Sequence, residues 1–177
     1  LSEEKRQELI GRCYTNNERL RKLLEEVSLI TRMEDGSQLI GKEPIVINNI
    51  IHEIAEELEI MPAEERFFLH TNFNEQVIIE GNLSLIASIF RNLTENAIAY
   101  SNGKNIYISL IENNKKWCKI RFEDDGNGVE EKQLTRLFER FYRVDKGRSR
   151  QKGGTGLGLA IVKHAVQFHG GNITVTN

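Results

Sequence analysis

The amino-acid sequence predicts an α+β fold: a two-layer sandwich in which a mixed, mostly antiparallel sheet is covered by helices on one face, preceded by a long N-terminal helix. Three observations carry this prediction. Residues 3–33 follow a helical pattern, residues 105–111 and 117–123 alternate apolar and polar side chains, and further helical stripes are interleaved with short strand-like runs. Helices and antiparallel hairpins in this mixture indicate one sheet with helices on a single face.

Composition restricts the class of protein further. The 177 residues hold 24 Lys and Arg against 26 Asp and Glu, which gives a formal net charge of −2, and 39% of the residues are apolar. This length allows one core with a small appendage, and the near-neutral charge argues against a nucleic-acid binder. No apolar run approaches the ~20 residues that span a bilayer. The chain begins Leu-Ser-Glu-Glu without an initiator Met, so we expect a piece of a longer protein.

The N-terminal helix carries an apolar seam that it cannot bury alone. A seam with alternating spacings of three and four is typical of a helix that packs on a partner helix, and an Asn within it commonly fixes the register. The sequence leaves two possibilities open: the seam pairs in a coiled coil, or it packs on the chain's own globular domain. The seam consists of Ile10, Cys13, Asn17, Leu20, Leu24 and Val27.

The remaining elements are short and alternate in type. Asn49 and Asn82 stand at helix-capping positions, and Pro62 follows the first of these two helices. In chain order we expect a strand at 44–47, a helix from 49, strands at 66–71 and 77–80, a helix from 82, the hairpin described above, a short helix near 130–138, a helix at about 156–169 and a last strand at 172–176.

Two asparagines on the second long helix are the first candidates for chemistry. Asn92 and Asn96 are four residues apart, so their side chains lie on one helix face beside the apolar stripe. Carboxamide oxygens suit a hard cation such as Mg²⁺, which is usually held by few protein ligands together with substrate phosphates and water. Taken alone, such a pair is more often a polar helix face than a metal site.

Glycine marks two further candidates, because nine of the 14 glycines lie between Gly126 and Gly171. Asp124 precedes Gly126 and Gly128 at a strand end; the pattern either places an acceptor beside backbone that is open to a flat ligand or forms a simple turn. The glycines of residues 153–158 run into an apolar helix, whose free N–H groups offer a place for phosphate. Their spacing is neither that of a dinucleotide-binding fingerprint nor that of a P-loop.

A basic segment precedes the last glycine motif. Residues 143–152 hold five cations against the single Asp145, which leaves a local charge of about +4. A mobile lid over a triphosphate and a solvated loop both explain this charge. The lid interpretation predicts that residues 146–153 are mobile without nucleotide and become ordered over ATP–Mg²⁺.

The order and spacing of these motifs resemble the catalytic ATP-binding domain of the sensor histidine kinases of two-component systems. The resemblance covers roughly residues 42–177 and implies a Bergerat-type ATP-binding fold. Residues 17–34 resemble the second helix of the family's dimerisation and histidine-phosphotransfer domain, so we expect residues 1–40 to be part of that domain and 42–177 to be the catalytic domain. The N, G1, F and G2 boxes of the family correspond to Asn92–Ala97, Asp124–Gly128, Phe138–Arg143 and Gly154–Leu159.

The resemblance implies a role for each motif residue. Asn92 and Asn96 would hold Mg²⁺, and Arg143 would join them in phosphoryl transfer by lying near the phosphates. Asp124 would accept a hydrogen bond from the adenine amino group. Tyr100 and Tyr142 would flank the nucleotide, and the remaining residues implied to contact ATP are Gly126, Gly128, Gly154, Thr155, Gly156, Leu157 and Gly158.

The family's activity and partners follow as further implications. The γ-phosphate of ATP would pass to a histidine outside this fragment and from there to the receiver domain of a response regulator. The full-length protein would be a homodimer through its dimerisation helices, with no nucleic-acid partner. The fragment would be cytoplasmic and would reach a membrane only through segments outside it.

Three features depart from the family pattern. The phosphoacceptor motif His-Glu-Leu-Arg/Lys-Thr-Pro does not occur, because none of the four histidines has that context. Ala99 stands where the family usually has a Lys or Arg, which leaves Arg143 and the basic segment to supply positive charge. The sequence stops at Asn177, before the Gly-Thr-x-Phe strand that usually closes the sheet, so we expect that strand to be missing.

Two other functions stay open. The hydrolytic ATPases that share the fold use a Glu as water-activating base where this chain has Asn92, and an amide cannot take up a proton at neutral pH, which disfavours hydrolysis. A non-catalytic nucleotide-sensing or dimerisation module is the other alternative, and the Ala99 departure supports it. Phosphoryl transfer needs mainly positioning and charge neutralisation from this domain, which Asn residues can supply.

Overall fold

The computed structural model describes residues 2–35, 41–144 and 154–177. These ranges form a long N-terminal helix, a mixed sheet and helices packed on it, which confirms the predicted fold class. The elements in chain order are α1 (Glu3–Glu34), β1 (Glu43–Val46), α2 (Ile47–Glu59), β2 (Phe68–Thr71), β3 (Ile78–Gly81), α3 (Leu83–Tyr100), β4 (Asn105–Asn113), β5 (Cys118–Asp124), α4 (Glu131–Leu134) and α5 (Gly158–Phe168).

Helix α1 begins at a side-chain cap. The Ser2 hydroxyl accepts a hydrogen bond from the Lys5 N–H at 3.4 Å, and two glutamates in the first turn face the positive end of the helix dipole. The predicted seam does not pack on the rest of the chain, since Ile10 and Leu20 are 62% and 60% exposed. The domain covers the end of α1 from about Leu23 onwards, through a different stripe.

The strands form two ladders in the described ranges rather than the single sheet expected. Strands β1 and β3 are antiparallel, with Ile45 opposite Ile79. Strand β4 is central to the other ladder: it pairs in parallel with β2 and antiparallel with β5. A bulge between Leu110 and Glu112 interrupts the β4–β5 register. The pairing is mixed and mostly antiparallel, as predicted.

Several predicted boundaries differ from the structure. Helix α2 begins at Ile47, not at Asn49. Asn48 instead bridges to a later loop: its amide donates to the Glu75 carbonyl at 3.0 Å and accepts from the Val77 N–H at 2.9 Å. The short helix α4 ends at Leu134, and residues 172–177 form no strand among the described residues. A strand requires a neighbour to pair with, and sequence pattern alone does not supply one.

The main core lies between the sheet and helices α2 and α3. Ile106 and Ile108 of β4 are fully buried, whereas Tyr107 between them is 39% exposed, so only one face of this ladder is covered by helices. The helices contribute Ile50, Ile51, Ile54, Leu58, Ile86, Phe90 and Ala97 to this core.

A second, smaller core joins α1, α3 and α5. Ile30 and Met33 at the end of α1 pack with Leu85 of α3 and with Leu157 and Ile161 at the start of α5. All five side chains are less than a tenth exposed. Helix α3 therefore takes part in both cores, and its two long sides are fixed by different neighbours.

A histidine ties the end of α5 to the start of α3. Nε2 of His169 accepts the Asn82 N–H at 3.0 Å, and Nδ1 lies 2.6 Å from the Ala165 carbonyl oxygen. Gly81 leaves room for the ring, because a methyl group there would lie 2.8 Å from Nε2. Asn82 then caps α3 by accepting the Leu85 N–H at 3.1 Å.

Candidate nucleotide-binding site

Helix α3 places Asn92 opposite the first residue of α5. The Asn92 amide group donates to the Ser88 carbonyl at 2.8 Å, which fixes the side chain and turns its oxygen away from the helix. That oxygen faces Gly158, where a methyl group would lie only 2.7 Å from it. The structure thus brings together one residue of the first predicted motif and one of the last.

Asn96 lies one helical turn further along the same face. Its amide nitrogen is buried and has no hydrogen-bond partner within the described part of the chain. A buried amide without a partner costs free energy unless a ligand or water satisfies it. The Asn92 oxygen, directed at the glycine motif, is a ligand type that suits Mg²⁺. The unpaired Asn96 N–H₂ group is a donor that suits a phosphate oxygen.

The end of β5 forms a tight loop on the last turn of α3. The Asp124 carboxylate accepts the Gly126 N–H at 3.0 Å, and the Asn127 N–H donates to the Ser101 carbonyl at 3.1 Å. Gly126 lies directly on Ser101, and a side chain there would overlap the Ser101 carbonyl oxygen. This glycine is therefore required by close packing, and it holds the loop after Asp124 against the end of α3.

Asp125, the neighbour of Asp124, has a structural role that sequence reasoning missed. One of its oxygens accepts the backbone N–H groups of Lys104 and Asn105, each at 2.8 Å, and the other accepts the Asn105 side chain at 2.7 Å. These hydrogen bonds, that of the Asn105 side chain first, lower the pKa of Asp125 to about 2. The pair of aspartates at the end of β5 is the sequence feature that could have indicated this structural role.

The other glycine of this loop has a positive φ. Gly128 has a φ of 68°, a conformation that favours glycine, and its Cα faces Asn177. The Asn177 side chain accepts the Val129 N–H at 3.0 Å and donates to the Val129 carbonyl at 2.6 Å. A side chain thus makes the pair of hydrogen bonds that a neighbouring strand would make.

The segments around Phe141 and Gly156 are joined through their backbones. The Phe141 N–H donates to the Gly156 carbonyl at 2.8 Å, and both residues have positive φ, 62° and 77°. A methyl group at Gly156 would lie 3.0 Å from the Phe141 Cα and 3.3 Å from the Arg143 side chain. The third and fourth motifs are therefore in contact, and Arg143 lies beside the glycines.

Tyr100 reaches the same glycines from the end of α3. Its hydroxyl faces Gly154, which also lies near the Arg143 guanidinium. Tyr142 is placed differently, because its ring lies under the Arg136 guanidinium at 4.3 Å. The contacts of the described residues therefore group Tyr100 with Arg143 and Gly154, and group Tyr142 with Arg136.

Among the described residues, no side chain caps the start of helix α5. The first N–H groups of a helix have no partner within the helix, and the helix dipole favours negative charge there. Leu157, fully buried, anchors this end in the small core, and its N–H donates to the Thr155 hydroxyl at 3.2 Å. The proposed lid at 146–153 lies outside the described residues.

Helix α1 reaches the same region, which sequence reasoning did not predict. Lys22 pairs with Glu95, the neighbour of Asn96, at 3.2 Å. Glu34 pairs with Arg140 near the other end of the contact. Between these two ion pairs, Glu26 is buried with its carboxyl at Thr155. No local pattern distinguishes Glu26 from the exposed glutamates around it.

Comparisons with known proteins identify the family and the fold. The family model described as histidine kinase-, DNA gyrase B- and HSP90-like ATPase matches residues 81–177. The chain is 34% identical over 158 residues to the sensor protein kinase WalK of Staphylococcus haemolyticus, which covers 88% of this chain and 26% of the relative. WalK of Staphylococcus aureus has the same identity over the same length, with 38% of the relative covered.

Solved structures show the same fold. A mycobacterial sensor histidine kinase, MprB, is 25% identical with a TM-score of 0.58, covering 73% of this chain and 80% of that one. The histidine kinase AdeS of Acinetobacter baumannii, at 20% identity, has a TM-score of 0.70 and covers 95% of this chain and 75% of that one. At this identity, the similarity to AdeS shows that the two chains share a fold.

Fold and site together define an ATP-binding domain of the Bergerat type. The chain belongs to the histidine kinase-, DNA gyrase B- and HSP90-like ATPase family, as the ATP-binding domain of a sensor histidine kinase. It spans between 26% and 38% of the length of the two WalK relatives. Within the described ranges, no helix combines the length and apolar character that a membrane span requires.

Proposed function

We propose that residues 42–177 form a catalytic domain that transfers the γ-phosphate of ATP to a histidine on another segment, from which the receiver domain of a response regulator takes it. The observation that carries this proposal is the meeting of the motifs: Asn92 faces Gly158, and Phe141 is bonded to Gly156. Segments far apart in sequence thus surround the uncapped N-terminus of α5, where phosphate is favoured.

Different residues contact the metal ion, the phosphates and the adenine of the nucleotide. Asn92 and Asn96 hold Mg²⁺, which, when bound, neutralises phosphate charge. Arg143 lies beside Gly154 and Gly156 and supplies a fixed positive charge in the place of the family's usual cation at position 99. Asp124, at the end of β5, accepts a hydrogen bond from the adenine amino group.

The same reasoning assigns residues 1–40 to the dimerisation and phosphotransfer domain. Helix α1 exposes Ile10, Tyr14, Leu20 and Leu24 along its first two thirds. A helix with such a stripe buries it against further helices, here those of the same domain in a homodimer. The kinase then works on the cytoplasmic side, where ATP and the response regulator are found.

Transfer is favoured over hydrolysis by the state of Asn92. Its amide donates to Ser88 and has no basic site for a water proton. Transfer to a histidine needs no such base on this domain, because the acceptor is itself a nucleophile and the domain supplies position and charge. WalK, a relative of this chain, is named a sensor protein kinase.

The test is phosphorylation of a supplied acceptor. The chain is incubated with labelled ATP, Mg²⁺ and a separate dimerisation domain that carries the acceptor histidine. We expect acid-labile label on the supplied domain, none on the chain itself, and no label when Mg²⁺ is chelated. Asn96→Ala, which removes one proposed metal ligand, should reduce transfer strongly, and Asn113→Ala, on the exposed end of β4, serves as its control.

Other outcomes separate the alternatives. Binding of ATP without transfer or hydrolysis would identify a nucleotide-sensing module. Release of free phosphate without label on the acceptor would identify a hydrolytic ATPase. Stable acid-labile phosphate on one of the chain's own histidines would contradict the assignment of the acceptor to another segment.

A further inference from the structure

Glu26 is the buried acidic residue of α1, and it lies against the glycine motif. Only 9% of the residue is exposed, whereas its neighbour Glu25 is exposed. One carboxyl oxygen, Oε2, is buried with no hydrogen-bond partner in the part of the chain that is described. A carboxylate in such a position carries a desolvation cost that no partner fully offsets.

The surroundings of Glu26 define its electrostatic state. Burial raises the pKa of its carboxyl, and a hydrogen bond with the Thr155 side chain opposes that rise. Among the charged neighbours, Lys22 on the same helix lowers the pKa, while Glu25 on α1 and Glu95 on α3 raise it. Two of the three charged neighbours thus disfavour the ionised form.

The contact of α1 with the domain combines apolar packing with exposed ion pairs. Ile30 and Met33 are buried, Leu23 and Leu29 are partly buried against them, and the Lys22–Glu95 pair beside Glu26 is more than half exposed on both sides. Exposed ion pairs of this kind contribute ~0–1 kcal/mol. The charge state of Glu26 therefore weighs heavily in whether this end of α1 stays on the glycine motif.

We propose that Glu26 of α1 is a positioning residue of the nucleotide site. Its carboxyl group holds Thr155 when the site is empty, and its negative charge opposes phosphate bound at Gly154–Gly158. The inference rests on the proposed function, since it requires a triphosphate at Gly154–Gly158. Two negative groups in a partly buried site repel each other much more strongly than in water. ATP binding then favours the neutral form of Glu26, or α1 leaves the motif.

This coupling is reciprocal. If phosphate at Thr155 disfavours the ionised carboxylate, the ionised carboxylate weakens ATP binding by the same factor. Removing the charge should therefore tighten ATP binding, and wild-type binding should be accompanied by proton uptake. A residue that only helps α1 to pack would change neither quantity in this direction.

Calorimetry of ATP–Mg²⁺ binding tests the proposal. Titrations of the chain in two buffers with different ionisation enthalpies, from pH 5.5 to 7.5, give both affinity and protons exchanged. For Glu26→Gln, nearly isosteric with the original side chain, we expect affinity to rise by about tenfold at pH 7, the equivalent of a one-unit pKa change, and proton uptake to disappear. Glu8→Gln, at an exposed position on the same helix and outside the charges that act on Glu26, should match the wild type.

The outcomes distinguish this inference from the proposed function. Equal affinity and equal proton uptake in Glu26→Gln and the wild type would overturn the role of Glu26 while leaving ATP binding intact. Binding by neither protein would overturn the proposed function, and with it the coupling. A Thr155→Val variant that retains the wild-type proton uptake would also overturn it, because the carboxyl would then not sense phosphate through that residue.

Discussion

Adjacent side chains at the end of β5 have different roles. Asp125 is bound by three donors from residues 104 and 105 and fixes the start of β4, whereas the exposed Asp124 has one donor, the Gly126 N–H. Asp124 is the last residue of β5 and Asp125 the first residue after it, so the two side chains meet different neighbours. One residue of the pair anchors the loop and its neighbour is left for the ligand.

Asp125 should make the stability of the domain sensitive to acid. Its pKa of about 2 lies below the ordinary 3.8, so its stabilising effect is complete above pH ~4 and is lost as the pH falls from ~4 towards ~2. In Asp125→Asn the new amide N–H₂ group faces other donors. We expect thermal unfolding several degrees lower at pH 7 and a flatter acid profile between pH 4 and 2. Glu123→Gln, an exposed neighbour on β5, should keep the wild-type profile.

Asp124→Asn should weaken adenine recognition more than phosphate binding. The amide can present N–H₂ to the adenine amino group, and replacing an acceptor with a donor costs ~1–3 kcal/mol. We expect ATP affinity to fall about tenfold or more in equilibrium binding, while binding of inorganic triphosphate changes little. Guanine nucleotides should bind the wild type poorly. Equal wild-type affinities for ATP and GTP would remove this role from Asp124.

Gly156→Ala should destabilise the contact between the third and fourth motifs. Gly156 has a φ of 77°, and its new methyl group would lie 3.0 Å from the Phe141 backbone. Together these cost ~1–3 kcal/mol, measurable by urea unfolding. Gly11→Ala is the matched control: it lies in the exposed part of α1 with nothing within 4 Å, so the same change should stabilise helix α1.

At the scale of elements, α1 is a helix with two unlike ends. Its first two thirds expose their apolar seam, and its last third is buried on α5 through Ile30 and Met33. The heptad pattern left open whether the seam meets a partner helix or the chain's own domain, and the domain contact uses another stripe. Periodicity shows which residues share a helix face, but not which of two apolar faces meets its own domain.

Ile30→Ala should release the end of α1 from the domain. Ile30 is 2% exposed, and truncating a buried Ile costs ~2–5 kcal/mol. Ile10→Ala on the same helix removes the same atoms from a side chain that is 62% exposed, where we expect a change within ~0.5 kcal/mol. Limited proteolysis at the exposed lysines and arginines of α1 reports the release. Equal cleavage of the two variants would contradict this view of the helix.

Element types were predictable from the sequence, whereas their ends were set by distant partners. The cap at Asn82 was predicted, because its own helix follows directly. The start of α2 was misplaced, because Asn48 bonds to residues 75 and 77, far along the chain. The missing strand after His169 has the same cause: pairing depends on neighbours that local pattern does not contain.

At the scale of the whole molecule, α3 connects two cores and the site. One side of it packs on the sheet, another packs on α1 and α5, and its last turns carry the asparagines and Tyr100. The motif residues could be read from sequence because spacing and order identify them. Glu26 could not, since its importance arises only when a second helix buries it against Thr155.

His169 gives this architecture a built-in spectroscopic reporter. With Nε2 accepting from Asn82 and Nδ1 facing the Ala165 carbonyl, the neutral ring is held in the single tautomer protonated at Nδ1. Burial lowers its pKa, so this form persists below pH ~6.5. The ring nitrogens should therefore show widely separated ¹⁵N resonances and a slowly exchanging imide proton. Loss of that signal on acidification or mutation would show that the end of α5 has moved away from the start of α3.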